Sequence, residues 1–302
     1  MNPSITLSAL IAQSAQQLDA AHDAGQLSFG HGTTNAADEA AWLVLWKLGL
    51  PLDIDVSDET HNIELPATQA ASVHAFIDHR IATRKPAAYL TQEAWLQGVS
   101  FYIDERAIVP RSLIAEVLAE GTIDLWLDPH TTRVLDLCTG NGSLGILAAL
   151  AYPDITVQGL DLSKDALAVA QINIARHGLE GRMALAESDG LAQADGVFDL
   201  ILCNPPYVNT QSMSELPAEF KAEPALALAG GDDGMDFIRH LLHDAPSHMS
   251  EHAVLVLEIG NERDYFEAAF PQLDVVWLST SAGDDQVLLL TRQAIAEGAT
   301  HK

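Results

Sequence analysis

The chain has 302 residues, 48 % of them hydrophobic, and it carries 15 basic against 42 acidic residues, a formal net charge of −27. A chain of this length accommodates two domains, or one catalytic domain with an appended unit. Its acidity excludes a protein that scans DNA or RNA through a basic face, because that role requires lysines and arginines to neutralise phosphates. The same acidity is compatible with a basic protein partner.

The cellular compartment can be predicted from the two cysteines and from the first ten residues. Cys138 and Cys203 both lie in apolar runs, which predicts buried thiols in a reducing environment, with neither a disulfide framework nor a zinc pattern. The opening MNPSITLSAL lacks the basic start and long apolar core of a signal peptide, and no apolar run approaches the ~20 residues that span a bilayer. We therefore expect a cytosolic protein with no membrane partner.

Residues 1–90 predict a small helical domain. Apolar residues recur at helical spacing over 8–26, 35–50 and 66–86, with Asn35 as a candidate N-cap and Gly49 near the end of the second helix. Residues 91–111 alternate around Gly98 and predict a hairpin that links two domains. We expect the helical domain to select the substrate and to take no part in the chemistry.

Residues 112–302 predict an α/β domain. After a helix over 112–127, the sequence contains seven strand candidates, at 133–138, 156–161, 182–188, 198–203, 253–260, 274–280 and 286–292. The last two are separated by a short Gly-Asp-Asp connection, which permits an antiparallel hairpin but no crossover helix. The pattern is typical of a doubly wound parallel sheet that closes with an antiparallel strand.

A glycine-rich loop follows the first of these strands. The stretch VLDLCTGNGSLG contains Gly140, Gly142 and Gly145 in the spacing G-x-G-x-x-G, which permits a tight turn and close approach of a ligand to the backbone. Asp136 precedes Gly140 by four residues, and Asp161 ends the next strand. A carboxylate in the position of Asp161 accepts both ribose hydroxyls of an adenosine group.

Two cofactors fit this pattern, a nicotinamide dinucleotide and S-adenosylmethionine. A dinucleotide places its pyrophosphate at the helix N-terminus, where the carboxylate of Asp136 would sit poorly beside the anion. S-adenosylmethionine has no phosphate and carries an ammonium and a sulfonium, which carboxylates attract. We favour S-adenosylmethionine over the dinucleotide, and over a glycine turn that serves only strand–helix packing.

The fourth strand runs into Asn204-Pro205-Pro206-Tyr207, which places this motif at the carboxyl edge of the sheet, beside the glycine loop. The prolines fix φ and push the residues before them towards an extended conformation. The Asn204 side-chain oxygen and a main-chain carbonyl then offer two fixed acceptors to a planar NH2 group. Tyr207 lies against the flat face of that group in this interpretation.

These acceptors indicate methyl transfer to an amide or an aromatic amine. The nitrogen of such a group is a poor nucleophile because its lone pair is delocalised. Two acceptors that bind both N–H bonds orient the nitrogen and favour positive charge on it, so the rate gain comes from alignment and electrostatic preorganisation.

With these motifs the chain resembles the class I S-adenosylmethionine methyltransferases, specifically the HemK-type protein glutamine methyltransferases. The resemblance rests on VLDLCTGNGSLGI, GLDLS, SDG and LILCNPPYV, and it extends to KPAAYLT, FYIDERAIVPRS, EPALALAGGDDGMDFIRHLL and LEIGN, over most of residues 85–261. AAYLTQEAW and FYIDERAIVPRSLIAE are more similar to the branch that methylates a glutamine of large-subunit ribosomal protein three. The release-factor branch usually has Pro-Arg-x-x-Thr-Glu where this chain has Pro110-Arg111-Ser112-Leu113-Ile114-Ala115-Glu116.

The resemblance implies roles for individual residues. Cys138, Thr139, Gly140, Asn141 and Gly142 would cradle the methionine part of the cofactor, together with Asp136. Asp161, followed by Leu162, would hold the ribose, and Asp189 would lie near the adenine. Asn204 to Tyr207 would hold the glutamine amide, and Asn204 would also border the bound cofactor. After Ser188-Asp189 the family often has a bulky residue, whereas this chain has Gly190.

Several alternatives and minor features complete the sequence-based interpretation. An amino-methyltransferase acting on adenine or guanine faces the same chemical problem, but the acidity speaks against it. A ribosome assembly factor that binds the cofactor without turnover is the non-enzyme alternative. The last alternative is a dehydrogenase. His240 and His243 are followed by no third ligand at a recognised spacing, so we expect no metal site. Residues 230–234, GGDDG, predict only a turn.

Overall fold

The computed structural model describes residues 4–56 and 58–299. Its helices are α1 Leu7–Asp23, α2 Ala36–Leu48, α3 Ala67–Thr83, α4 Ala87–Thr91, α5 Ile114–Ala119, α6 Ser143–Ala151, α7 Lys164–Arg176, α8 Thr210–Glu215, α9 Ala218–Lys221, α10 Asp236–Asp244, α11 Arg263–Ala269 and α12 Arg292–Ala299. Its strands are β1 Ser4–Thr6, β2 Glu64–Pro66, β3 Glu93–Leu96, β4 Val99–Tyr102, β5 Arg133–Leu137, β6 Thr156–Asp161, β7 Met183–Glu187, β8 Phe198–Cys203, β9 Met249–Glu258, β10 Val276–Thr280 and β11 Gly283–Thr291.

The chain divides into two compact units. The first comprises Met1–Glu93 together with Pro217–Ala222, and the second comprises Ala94–Leu216 together with Glu223–Lys302. Most of the β3–β4 hairpin therefore belongs to the second unit. The sequence predicts instead that residues 91–111 form a linker between two domains. The short segment 217–222 belongs to the first unit although it lies far along the chain, which no local pattern in the sequence indicates.

The first unit is helical because its apolar residues repeat at helical spacing and its helices are capped. The Asn35 side chain accepts the Asp38 N–H at 2.9 Å to begin α2, and Gly49 ends it in a left-handed conformation. Leu10, Leu18, Leu43, Val73 and Ile77 are among its fully buried side chains. Strands β1 and β2 pair antiparallel beside these helices.

Segment 217–222 is anchored in the first unit by a buried charge cluster. Glu219 accepts hydrogen bonds from Arg84 Nε at 3.0 Å and Nη2 at 2.6 Å, and from the backbone N–H of Ser28 at 3.0 Å. Arg80, which is also buried, donates to Glu39 at 2.9 Å and lies 3.5 Å from Glu219. Glu219 lies on α9, so these ion pairs attach α9 to the helices of this unit.

The second unit contains a seven-stranded sheet in the order β10-β11-β9-β8-β5-β6-β7. Strands β5 to β9 pair parallel, and β11 runs antiparallel to both β9 and β10, as the sequence predicts. Val134, Leu200 and Val254 pack into one layer of the core. Leu135, Ile201 and Leu255 pack into the layer on the opposite face, as expected for a sheet covered on both sides.

Two local predictions need correction. The helix predicted from residue 112 is shorter, since α5 ends at Ala119 and Gly121 has a positive φ of 66°. The turn before the last strand lies at residues 281–282, and Gly283 to Asp285, which the sequence predicts to be the connection, already belong to β11. Among the described residues, no helix has both the length and the apolar character needed to cross a membrane.

Candidate active site

The site lies where β5, β6, β7 and β8 end. Leu137 is in register with Leu160 on one side and with Cys203 on the other, and Asp161 is in register with Glu187. The residues that follow these strands are therefore neighbours at one edge of the sheet. This edge contains the glycine loop, Asp161, Asp189 and the Asn-Pro-Pro-Tyr motif, the four features that the sequence singles out.

The glycine loop turns sharply between β5 and α6. Cys138, Gly140 and Gly142 all have positive φ angles, of 60°, 55° and 82°. The left-handed conformation costs a non-glycine residue such as Cys138 about 1–2 kcal/mol. The loop is fixed over β6 by the bond from Thr139 N–H to Leu160 O, 3.0 Å long.

Asp136 lies beneath this loop and is almost completely buried. Its Oδ2 accepts the hydroxyl of Thr139 and the backbone N–H of Gly145, the latter at 2.8 Å. A Cβ on Gly145 would come within 2.9 Å of Oδ2, so the glycine permits this approach. Burial raises the pKa of Asp136 to about 7, against the hydrogen bonds of Thr139 and Gly145, which lower it. Oδ1 has no hydrogen-bond partner among the described residues.

Asp161, at the end of β6, braces the loop from the side. Its Oδ2 accepts the N–H of Gly140 and its Oδ1 accepts the N–H of Ser163, both at 2.8 Å. Burial raises its pKa, and these backbone hydrogen bonds oppose the rise. Each carboxylate oxygen retains acceptor capacity, because an ionised carboxylate offers about four lone-pair positions.

The edge beyond Asp161 is open to solvent. Leu162 exposes 49 % of its surface although it is a large apolar side chain. Asp189 is also exposed, and Gly190 has a φ of 54°. A Cβ on Gly190 would meet no atom within 4 Å, so backbone conformation and not crowding accounts for a glycine where the family often has a bulky residue.

Asn173, on α7, is a site residue that sequence analysis missed. Its fully buried amide donates to Asn141 O at 2.9 Å and to Tyr102 O at 3.0 Å, and its oxygen accepts the Tyr102 N–H at 2.7 Å. It thereby joins the glycine loop to β4. Asn141 itself is buried, and its side-chain Nδ2 has no hydrogen-bond partner among the described residues.

The Asn-Pro-Pro-Tyr motif begins immediately after β8. Pro205 is buried, whereas Asn204, Pro206 and Tyr207 are half-buried. The motif is held on its far side by a short parallel bridge, in which Val208 N–H donates to Leu228 O at 2.8 Å and Gly230 N–H donates to Val208 O at 2.9 Å.

Tyr207 is enclosed by residues that are distant in sequence. Its hydroxyl donates to Oε1 of Glu258 at 3.2 Å. A Cβ on Gly260 would come within 2.5 Å of the Tyr207 ring, and one on Gly230 within 2.7 Å of the Tyr207 Cα. Burial and the Glu258 carboxylate raise the pKa of Tyr207 above its ordinary value. The GGDDG segment therefore supports the motif as well as forming a turn.

The segment before α5 ties two of these regions together. Arg111 pairs bidentately with Glu223, with both N–O distances 2.7 Å, and Val109 N–H donates to the same carboxylate at 2.9 Å. One residue later, Ser112 donates to Glu258 at 2.5 Å. These hydrogen bonds give residues 109–112 a structural role. In the sequence, the segment is notable only for its resemblance to the family.

The residues around the glycine loop suit S-adenosylmethionine. The unsatisfied Oδ1 of Asp136 is a buried acceptor, and the unsatisfied Nδ2 of Asn141 is a buried donor. A site with two carboxylates matches a ligand that carries positive charge and lacks phosphate. Among the residues that the structure describes, no group of three or more His, Cys, Asp or Glu side chains could hold a metal ion.

Comparison with solved structures agrees with the fold. The hMettl16 catalytic domain in complex with a MAT2A 3′UTR hairpin superposes with a TM-score of 0.51 at 11 % identity, covering 79 % of this chain and 86 % of that one. Such low identity establishes the class I methyltransferase fold alone.

Sequence comparison identifies the family. The model of the methyltransferase small domain matches residues 115–260. The ribosomal protein uL3 glutamine methyltransferase of Bordetella pertussis is 50 % identical over 292 residues, covering 96 % of each chain. The protein of the same name from Neisseria gonorrhoeae is 46 % identical, covering 89 % of this chain and 90 % of its own. The chain therefore belongs to the family of the ribosomal protein uL3 glutamine methyltransferases.

Proposed function

We propose that this protein methylates the side-chain amide nitrogen of a glutamine in large-subunit ribosomal protein three, uL3. The observation that carries this proposal is the position of Asn204-Pro205-Pro206-Tyr207, directly after β8 and beside the glycine loop. The 50 % identity to a uL3 glutamine methyltransferase over nearly the whole chain supports the choice of substrate.

The first group of residues holds the cofactor. S-adenosylmethionine supplies an electrophilic methyl group on a sulfonium. Asp136 Oδ1 and the backbone of residues 138–142 attract and cradle its cationic methionine part, because they combine a buried carboxylate with a tight left-handed turn. Asp161 accepts from the ribose hydroxyls, and Leu162 and Asp189 line the open adenine edge.

The second group holds the glutamine amide. The side-chain oxygen of Asn204 and a neighbouring main-chain carbonyl accept the two amide N–H bonds, and the two prolines keep these acceptors stiff. The Tyr207 ring packs against the flat face of the amide. Because both acceptors are fixed before the reaction, positive charge that develops on the nitrogen is stabilised without rearrangement.

Charge supports a basic protein substrate. The net charge of −27 favours encounter with a cationic ribosomal protein and disfavours an RNA or DNA substrate. A cytoplasmic location follows from the proposed substrate. A release factor remains the alternative protein substrate, since glutamine methylation there poses the same chemical problem.

Substitution of Asn204 separates turnover from cofactor binding. In Asn204→Ala, we expect the methylation rate of uL3 to fall by about 100-fold to 1000-fold, the loss typical of a preorganised hydrogen-bonding group. We expect the dissociation constant for S-adenosylmethionine, measured by calorimetry, to stay within about threefold, a change of less than 1 kcal/mol. An equal loss of both would contradict the role assigned to Asn204.

A further inference from the structure

We infer that Glu258 and Ser112 are positioning residues for Tyr207, which they orient through a buried hydrogen-bond chain. This inference rests on the proposed function, in which Tyr207 packs against the substrate amide. Neither residue touches that amide in this account. They act by fixing the hydroxyl, and hence the ring plane, of Tyr207.

The chain runs from α5 to the motif through one carboxylate. Glu258 Oε2 accepts the Ser112 hydroxyl at 2.5 Å and the Leu113 N–H at 2.9 Å. Its other oxygen, Oε1, accepts the Tyr207 hydroxyl at 3.2 Å. Two donors from one short segment therefore fix the rotamer of Glu258, so that Oε1 points to Tyr207.

Burial makes this arrangement sensitive to the loss of any donor. Glu258 and Ser112 are each about 95 % buried, with 4 % and 5 % of their surfaces exposed. A buried carboxylate that loses a donor is left with unsatisfied acceptor capacity, and its partners shift to compensate. Loss of the Ser112 hydroxyl therefore shifts the Glu258 carboxylate, and with it the Tyr207 hydroxyl.

The surroundings of the ring explain why its hydroxyl controls its orientation. Gly260 lies against one edge of the ring, where a Cβ would come within 2.5 Å. Gly230 packs against the Tyr207 Cα. The backbone and one ring edge are therefore fixed by contact, and the hydrogen bond to Glu258 fixes the end of the side chain.

The direction of the hydrogen bond also affects the electrostatics of the ring. Burial raises the pKa of Glu258, and the hydrogen bonds from Ser112, Leu113 and Tyr207 oppose the rise because they favour its ionised form. With Glu258 ionised, the phenol donates to a carboxylate and electron density in its ring increases. An electron-rich ring face stabilises nearby positive charge. In the proposed reaction, positive charge develops on the amide nitrogen. The carboxylate of Glu258 thus strengthens the contribution of Tyr207 without contact with the substrate.

Steady-state kinetics on uL3 tests the inference with four variants. In Ser112→Ala we expect kcat to fall by about 10-fold to 100-fold, the effect of a small misplacement, with the KM for S-adenosylmethionine unchanged. Ser112→Thr keeps the hydroxyl and restores most of the rate. Tyr207→Phe lowers kcat similarly, and Ser112→Ala adds no further loss in that background. Multiplicative losses in the double variant would overturn the inference.

The matched control is Ser250→Ala. Ser250 stands near the start of the same strand, β9, and donates to the carboxylate of Asp199 at 2.8 Å, so it forms a half-buried serine–carboxylate pair away from Tyr207. We expect Ser250→Ala to leave kcat unchanged. A loss of kcat equal to that of Ser112→Ala would indicate a structural effect and overturn the inference.

An NMR measurement keeps this test independent of the substrate. The chain has five tyrosines, and the ring ζ-carbon signal of Tyr207 in 13C-labelled protein is assigned by its loss in Tyr207→Phe. We expect Ser112→Ala and Glu258→Gln to shift this signal and Ser250→Ala to leave it in place. An unchanged signal overturns the inference whatever the substrate, whereas failure of uL3 methylation with a shifted signal would contradict only the proposed function.

Discussion

The buried carboxylate of Asp136 accepts the backbone N–H of Gly145, 2.8 Å away, and so joins the end of β5 to the first turn of α6. The bond holds the glycine loop closed from below. The same carboxylate leaves Oδ1 without a partner among the described residues and has a pKa raised by burial to about 7. The side chain that supports the loop thus also presents a buried acceptor, to which we assign the cationic part of the cofactor.

Asp136→Asn should stabilise the protein above neutral pH. In the folded state the pKa of Asp136 is about 7 against an ordinary 3.8, so ionisation disfavours folding. The contribution of Asp136 to the free energy of unfolding is therefore most favourable below pH 4, and it falls as the pH rises to 7. We expect Asp136→Asn to raise Tm at pH 8 and to match the unsubstituted protein at pH 4. Equal Tm differences at both pH values would contradict the raised pKa.

The same substitution should change how cofactor affinity depends on pH. Positive charge brought into the site favours the ionised form of Asp136, so affinity for S-adenosylmethionine rises between pH 5 and pH 8 in the unsubstituted protein, around the pKa of about 7. In Asp136→Asn we expect a weaker affinity with a flatter pH profile, measured by calorimetry. Asp165→Asn, an exposed acid on α7, controls for the change in net charge.

The strands could be predicted from sequence because buried parallel strands appear as continuous apolar runs. Phe198–Cys203 and Thr156–Asp161 match their predicted bounds, and the antiparallel end of the sheet followed from a connection too short for a helix. The membership of residues 217–222 in the first unit could not be predicted. It depends on contacts of Glu219 with Arg80 and Arg84, which lie 139 and 135 residues away, and local periodicity contains no information on such pairs.

The same distinction applies to the site. The glycine loop and the Asn-Pro-Pro-Tyr motif are local patterns whose chemistry is visible in a few consecutive residues. Glu258 and Asn173 are single polar residues that meet their partners 51 and 71 residues away. A polar residue at the end of a buried strand, as in LEIGN, is a signal that could have indicated Glu258, because a buried carboxylate requires donors.

Asp161→Ala should weaken cofactor binding. It removes both the acceptor assigned to the ribose and the bonds that hold Gly140 and Ser163. We expect affinity for S-adenosylmethionine to fall by about 10-fold to 100-fold, equivalent to about 1.4–2.8 kcal/mol, while Asp165→Ala leaves it unchanged. An affinity that survives Asp161→Ala would show that other groups hold the ribose.

Cofactor binding should protect one thiol selectively. Both cysteines are free, Cys138 is half-buried in the glycine loop, and Cys203 is fully buried with a pKa raised well above its ordinary value by burial. We expect N-ethylmaleimide to modify Cys138 in the native protein and Cys203 only after unfolding. S-adenosylmethionine should slow the modification of Cys138, as followed by mass spectrometry of peptides. A rate unaffected by saturating cofactor would place the methionine part elsewhere.

Glu219→Ala should destabilise the first unit. Burial alone would raise the pKa of Glu219, but the hydrogen bonds from Arg84 and the Ser28 N–H, with the charge of Arg80, lower it below its ordinary value. The contribution to stability is therefore present above about pH 4.5 and is lost as the pH falls. Without the Glu219 carboxylate, the buried charge of Arg80 loses one of its two acidic partners. We therefore expect the free energy of unfolding, measured in urea at pH 7, to fall by about 3–5 kcal/mol.

The control for Glu219 is Asp19→Ala, an exposed acid on α1 of the same unit. We expect this change to alter the free energy of unfolding by less than about 0.5 kcal/mol. A similar effect of both substitutions would mean that general charge, and not the buried cluster, determines the stability of the unit.

Methyl transfer from labelled S-adenosylmethionine tests the central claim most directly. Purified uL3, a release factor and bulk RNA are offered side by side, with Asn204→Ala as the inactive control. We expect label on a glutamine of uL3, little on the release factor, none on RNA, and loss of the uL3 signal in Asn204→Ala. Label on the release factor alone, on RNA, or on no substrate would contradict the assignment of uL3 as the substrate.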